Sequence, residues 1–300
     1  MSRRAVLGII GGSGLYGIAL ENAEHVRVHT PWGEPSDDYL VGEVEGLKVV
    51  FLPRHGKGHR LSPTDINYRA NIDGFKRLGV TDLVSLSACG SFREELSPGT
   101  FVLVDQFIDR TFARPKSFFG KGCVAHVSMA RPVSPALVDR IEAACKAEGL
   151  RYHRGGTYLA MEGPQFSTLA ESHMYRAWGC DVIGMTNMPE ARLAREAEIK
   201  YATVAMVTDY DSWHEEHGEV DITAILQVMQ QNADNAARLV RRLVADFPRV
   251  FEPCPAGSHM ALEHAVITAP EARDPALLRK LDAVAGRVLN RDGGNGGAES

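Results

Sequence analysis

The chain has 300 residues, is 44% hydrophobic and carries a formal net charge of −5. That length can bury a large core as one domain or two small ones, and the acidic balance gives no support for a nucleic-acid or polyanion surface. Five scattered cysteines, Cys89, Cys123, Cys145, Cys180 and Cys254, never in CxxC spacing, point to free thiols in a reducing, cytoplasmic compartment, with neither a disulfide framework nor a metal site.

Short β-rich runs alternate with longer amphipathic segments, the pattern of an α/β protein. The first predicted strand is "AVLGII" (5–10); glycines follow it at once with no A-x-A site, against a signal peptide, and no apolar run approaches the ~20 residues of a membrane span. "DYLVGEV-EG-LKVVFL" predicts a hairpin around Glu45-Gly46. Ser62-Pro63 have the form of N-cap and first residue of a helix that stops at Gly79. "LVSLSA" and "TFVLVD" are further strands, and Ser134-Pro135 open a helix with Leu137, Val138, Ile141 and Cys145 on one face. "TYLAM", "DVIGM" and "YATVAMVT" are three more strands, separated by helical patterns at 168–178 and 189–197. Asp221 caps a long helix whose apolar positions include Ile222, Ile225, Leu226, Met229, Ala236, Val240, Leu243, Val244 and Phe247. The domain is expected to end near residue 250. An extension follows over 251–290, with a helix at 274–289, and residues 291–300 are expected to be disordered.

The stretch "GIIGGSGLYG" (8–17) satisfies G-x-G-x-x-G through Gly12, Gly14 and Gly17. A dinucleotide site also needs a helix, a second strand and an acid at that strand's end about 20 residues on. Here Pro31 and Gly33 break the following segment, and Glu34 sits in a turn. What remains is a glycine turn with backbone N–H groups and the Ser13 hydroxyl, suited to a small anion. Five further strand tips gather polar groups, among them Arg54-His55, Ser87, Ser167 and Thr186, a donor set suited to phosphate or a phosphate ester. Asp209 and Asp211 arrive at the same rim and fit a substrate with two different ends.

The stretches "GIIGGSGL", "TPWGEPSD", "LPRHGKGHRLSPTDINYRANI", "ACGSFREEL", "DQFIDRTFARPKSFF", "MEGPQFSTLAES", "DVIGMTNMPEARLAREA" and "TDYDSW" together carry a resemblance. From about residue 5 to 247 the chain resembles the nucleoside phosphorylases of the trimeric purine-nucleoside type. The resemblance implies a single α/β domain with a mixed, partly barrel-like central sheet flanked by helices, assembled as a homotrimer or homohexamer. The implied reaction is phosphorolysis of 5′-methylthioadenosine to adenine and 5-methylthioribose 1-phosphate. Inorganic phosphate is a co-substrate, and neither cofactor, nucleic acid nor membrane is involved. The alternative is a broader adenosine or 6-oxopurine nucleoside phosphorylase.

The same resemblance implies the site. Phosphate falls to Ser13, Arg54, His55, Ser87, Ala88 and Thr186, the ribose to Met185, and the base or sugar to Phe166. Asp211 accepts from the 6-amino group of the base while Asp209, the catalytic acid, protonates N7. The two carboxyls are expected to share one proton, since a buried carboxyl beside another has its pKa raised. The 6-oxopurine members have asparagine where Asp209 stands and glutamate where Ser167 stands. Ile222, Ile225 and Leu226 are expected to line the pocket for the 5′ substituent, with His59 and, from a neighbouring subunit, His126 near it.

Overall fold

A computed structural model describes residues 3–12, 20–214 and 222–292, with the side chains of 222–225 and 291–292 outside that description. Strand β1 (Val6–Gly11) is apolar and buried from Leu7 onward, as a central parallel strand must be. It lies between β4 (Leu47–Pro53) and β5 (Asp82–Ser91), parallel to both. Strand β3 (Tyr39–Val44) joins β4 in the expected hairpin: Glu45 and Gly46 hold φ 47 and 78, the positive pair that a two-residue turn requires. An exposed strand, β2 (Glu21–Val26), edges β3 antiparallel; it occupies the place where a dinucleotide fold would have a helix.

Helix α1 (Tyr68–Arg77) starts later than Ser62-Pro63 suggests. Asn67 is the cap, its Oδ1 accepting from the Ala70 N–H at 3.1 Å, while Ser62 donates to Asp65 in a separate turn. Ser-Pro marks a turn as readily as a helix start, and here the turn wins. The helix does stop at Gly79, which takes φ 85.

Further along, β6 (Phe101–Leu103), β7 (Gln106–Asp109), α2 (Pro135–Ala147), β8 (Tyr152–Arg154) and β9 (Thr157–Ala160) follow in order. Then come α3 (Leu169–Ala177), β10 (Val182–Gly184), α4 (Asn187–Glu196), β11 (Lys200–Asp209) and α5 (Ile222–Asp246). The mixed sheet runs β2-β3-β4-β1-β5-β10-β9-β7, and β11 leads from the other edge of β5 to β6 and β8. With helices flanking this sheet, the architecture is the expected α/β one.

The register at β5 creates the site. Its pairing with β1 ends at Ser85, and antiparallel β10 begins only at Gly90. The intervening stretch is left open on that edge, and Ala88 is the single exposed residue of the strand. Strand β10 runs against β5, and Met185 and Thr186 follow its carboxyl end.

Two corrections concern the C-terminal third. Residues Ala236, Val240, Leu243, Val244 and Phe247 of α5 are buried, but Leu226 and Met229, expected on the same apolar face, are exposed. Asp221 lies outside the described residues. The single helix foreseen at 274–289 is two, α6 (Pro275–Lys280) and α7 (Asp282–Asp292), divided at buried Leu281. Leu281, Val284, Ala285 and Val288 share the main core with β1, β4 and β5. Of the tail foreseen as disordered, 291–292 belong to α7 and 293–300 lie outside the described residues. All five cysteines are free and buried. No helix among the described residues is long and apolar enough to cross a membrane.

Candidate active site

Asp209 owes its position to an irregularity at the end of β11. The strand keeps register with β5 as far as Val207↔Cys89, then shifts so that Asp209 stands opposite Gly90. Extra residues of this kind re-aim side chains next to functional clefts. The Val207 carbonyl is held by the Gly99 N–H and by Asn232 Nδ2, both at 2.9 Å. Asp209 Oδ1 accepts from the Thr208 hydroxyl at 2.6 Å and Oδ2 from the Asp211 N–H at 3.0 Å. Burial pushes its carboxyl up to about 6, against the lowering effect of Thr208, with the nearby Asp211 charge adding to the rise. Glycine at position 90 makes the approach possible: a Cβ there would lie 3.1 Å from Asp209 Oδ2 and 3.3 Å from Asp211 Cβ.

Asp211 is buried at φ 29, a backbone region that non-glycine residues seldom occupy. Ser167 Oγ lies 2.7 Å from both of its carboxylate oxygens. Its pKa is raised by burial, with Ser172 and Ser167 opposing. Each carboxyl has its own donors, burial is the first cause of both shifts, and the Asp211 charge adds to that of Asp209.

Beside this acidic end, Phe166 is exposed, 51% accessible, and Met185 is partly buried. The Met185 sulfur lies 2.6 Å from where a Cβ on Gly163 (φ 68) would stand, so the close approach needs glycine. The Met185 carbonyl accepts from Arg114, whose buried guanidinium also donates to Tyr68 Oη at 3.1 Å, Met188 O at 2.9 Å and Glu162 O at 2.5 Å. Glu162 returns its carboxylate to Arg114 Nε at 3.2 Å and to the Phe112 N–H at 2.6 Å. One cation thus fixes the loop that leads to Ser167 and the turn that carries Met185.

The candidate phosphate residues lie around the open edge of β5. Ser87 is buried and donates to Asn187 Oδ1 at 2.9 Å, and Thr186 is buried at the cap position of α4 without using its hydroxyl there. Arg54, the cation among the strand-tip donors, is 2% exposed. It pairs with Glu190 through Nε at 2.7 Å and Nη2 at 3.1 Å. It also donates to Ser85 Oγ at 2.6 Å, Leu86 O at 3.0 Å and Ile10 O at 3.3 Å. Its charge is offset, and what it adds to the site is mainly rigidity and one remaining Nη1 hydrogen. His55 donates Nδ1–H to the Leu61 carbonyl at 2.9 Å and stacks on His59 at 4.1 Å. Burial pushes its pKa down to about 4, so the ring is neutral near pH 7.

The remaining sequence candidates are more dispersed. Ser13 lies outside the described residues, as do the side chains of Ile222 and Ile225. Leu226 and His59 are exposed. His126 is exposed on a segment paired with the C-terminal region, its N–H donating to Ala265 O at 2.9 Å. Sequence reasoning assigned no role to Arg114, Glu162, Asn187 or Glu190. The first two stand in "DQFIDRTFARPKSFF" and "MEGPQFSTLAES" and the others in "DVIGMTNMPEARLAREA", but no spacing marks them as partners. Among the described residues no cluster of three His, Cys, Asp or Glu is placed to hold a metal ion.

Residues 6–245 match the family model described as the phosphorylase superfamily. A protein of Bradyrhizobium diazoefficiens named S-methyl-5′-thioadenosine phosphorylase is 67% identical over 287 residues, covering 95% of this chain and 99% of the relative. One of the same name from Cereibacter sphaeroides is 64% identical with the same coverage. Among solved structures, a methylthioadenosine phosphorylase sourced from an antarctic soil metagenomic library superposes with a TM-score of 0.86 at 47% identity, covering 93% of this chain and 98% of that one. The Schistosoma mansoni methylthioadenosine phosphorylase in complex with adenine gives 0.76 at 35% identity, with 80% and 91% covered.

Proposed function

Because the chain belongs to the phosphorylase superfamily, we propose that it catalyses phosphorolysis of 5′-methylthioadenosine, with Asp209 as the acid that releases adenine. The carrying observation is the Asp209 carboxyl, fixed by Thr208 and Asp211 and raised to about 6, within reach of protonation near neutral pH. A phosphate oxygen forms a bond to C1′ as the C1′–N9 bond breaks. The bonding pair passes to the purine, and the Asp209 proton neutralises it at N7. Adenine and 5-methylthioribose 1-phosphate result. Negative charge on the phosphate stabilises the cationic character that develops at C1′.

Asp211 keeps lone pairs beyond those that face Ser167 and accepts from the 6-amino group of adenine. Phosphate lies along the open edge of β5, on the Ala88 N–H, Ser87, Thr186 and the remaining Arg54 hydrogen, with Nε2 of the neutral His55 ring accepting from a protonated phosphate oxygen and Ser13 joining from the glycine turn. Ribose rests on Met185 and Phe166 covers the sugar or base. Ile222, Ile225 and exposed Leu226 supply apolar surface for the methylthio group, worth about 1–3 kcal/mol against a hydroxyl that such a pocket cannot pair. Assembly as a homotrimer or homohexamer brings His126 of one subunit toward the 5′ end of the next, with His59 on the near side. The five free thiols support a reducing, cytoplasmic setting. No cofactor is required.

The test is Asp209→Asn. The variant is expected to lose about 10²- to 10⁴-fold in kcat on 5′-methylthioadenosine while inosine turnover falls less or rises. Full retention of methylthioadenosine activity would remove Asp209 from the acid role.

A further inference from the structure

Tyr158 on β9 is fully buried, and its hydroxyl has no hydrogen-bond partner at bonding distance. Buried hydroxyls left in this state are uncommon and call for a reason. The phenol reaches across the neighbouring strand at Gly184, where a Cβ would come within 1.8 Å of its oxygen. Beside that oxygen stand the Ser87 hydroxyl and the Thr186 backbone N–H. Ser87 gives its one hydrogen to Asn187 Oδ1 at 2.9 Å. It cannot at the same time give it to an anion. Asn187 stays anchored through its other end, Nδ2, which donates toward Thr203 Oγ1 at 2.7 Å, Tyr201 Oη at 2.8 Å and Ser85 Oγ at 3.1 Å, so turning the Ser87 hydrogen away costs only the bond at Oδ1.

We infer that Tyr158 is a positioning residue for the oxyanion: its hydroxyl donates to Ser87 Oγ when Ser87 turns its hydrogen from Asn187 to phosphate. A hydroxyl that accepts a hydrogen bond is a stronger donor, so the Tyr158–Ser87–phosphate chain polarises toward the anion. Tyr158 touches no substrate in this arrangement and acts only through Ser87. The inference rests on the reading of Ser87 as a phosphate contact.

The experiment compares Tyr158→Phe, Ser87→Ala and the double variant, with KM measured separately for phosphate and for 5′-methylthioadenosine. Tyr158→Phe is expected to raise the phosphate KM about three- to tenfold, the loss of one hydrogen bond, with the nucleoside KM within about twofold. Its Tm should hold or rise, since the lost hydroxyl had no partner. On the Ser87→Ala background the same change is expected to add nothing. An unchanged phosphate KM in Tyr158→Phe overturns the inference, as does an equal penalty with and without Ser87. A lowered Tm with both KM values shifted alike assigns Tyr158 to packing instead. If Ser87→Ala itself leaves the phosphate KM unchanged, the reading of Ser87 fails and takes this inference with it.

Discussion

In the proposed reaction Asp209 serves as an acid only when protonated, and burial raises its carboxyl to about 6. The competent form is present below that value and is lost as pH rises through it. A phosphate anion bound nearby disfavours a second negative charge and moves the midpoint higher still. With phosphate saturating, log kcat/KM for the nucleoside is therefore expected to decline above an apparent midpoint at or above 6. The Asp209→Asn profile should lack that limb; the same limb surviving in the variant would assign it to another group. At this scale the sequence was informative about the acids themselves, because "TDYDSW" carries them as a recognisable unit. It was silent about what holds them. Ser167 reaches Asp211 across 44 positions, and Arg114 reaches Met185 across 71, and pairings at such separations leave no local signal.

Among the elements, β5 and the residues seated on it carry the candidate site. Gly90→Ala would set a methyl 3.1 Å from Asp209 Oδ2, and that carboxyl must shift. The expected result is a loss of at least about tenfold in kcat, in line with the sensitivity of catalytic groups to small displacements, with little change in urea midpoint. Unaltered kinetics would show that the carboxylate tolerates displacement. The Arg54–Glu190 pair ties β4 to α4, both side chains buried. Glu190→Gln leaves the guanidinium without its counter-charge and is expected to cost about 3–5 kcal/mol in urea unfolding; a change below about 1 kcal/mol would contradict the view that this charge is fixed and offset. Long periodic elements such as α2 and α5 and the β3–β4 hairpin could be read from pattern alone. The short strands β2, β7 and β8 could not, because three to six residues with polar exposure carry little periodicity. Nor could the gap between β1 and β10 along β5, a property of register between segments far apart in the chain.

For the molecule as a whole, the C-terminal region is part of the core and of its polar support. Arg287 donates to both oxygens of buried Glu198 at 2.7 Å, and Leu281, Val284 and Ala285 are buried. A chain ending at residue 250 is therefore expected to melt well below the full-length protein, or to be recovered insoluble. Equal Tm values would show that the core closes without α6 and α7. The sequence read this region as an extension because amphipathic spacing at 277, 281, 284 and 288 says which face is buried but not against what.

The central claim, phosphorolysis of a 6-amino nucleoside with an apolar 5′ group, is tested most directly by following adenine release from 5′-methylthioadenosine with and without inorganic phosphate, alongside adenosine and inosine. Release is expected only with phosphate, fastest from 5′-methylthioadenosine and slowest for the base of inosine, with 5-methylthioribose 1-phosphate as the second product. Adenine release that proceeds without phosphate, or inosine cleaved as fast as 5′-methylthioadenosine, would contradict it.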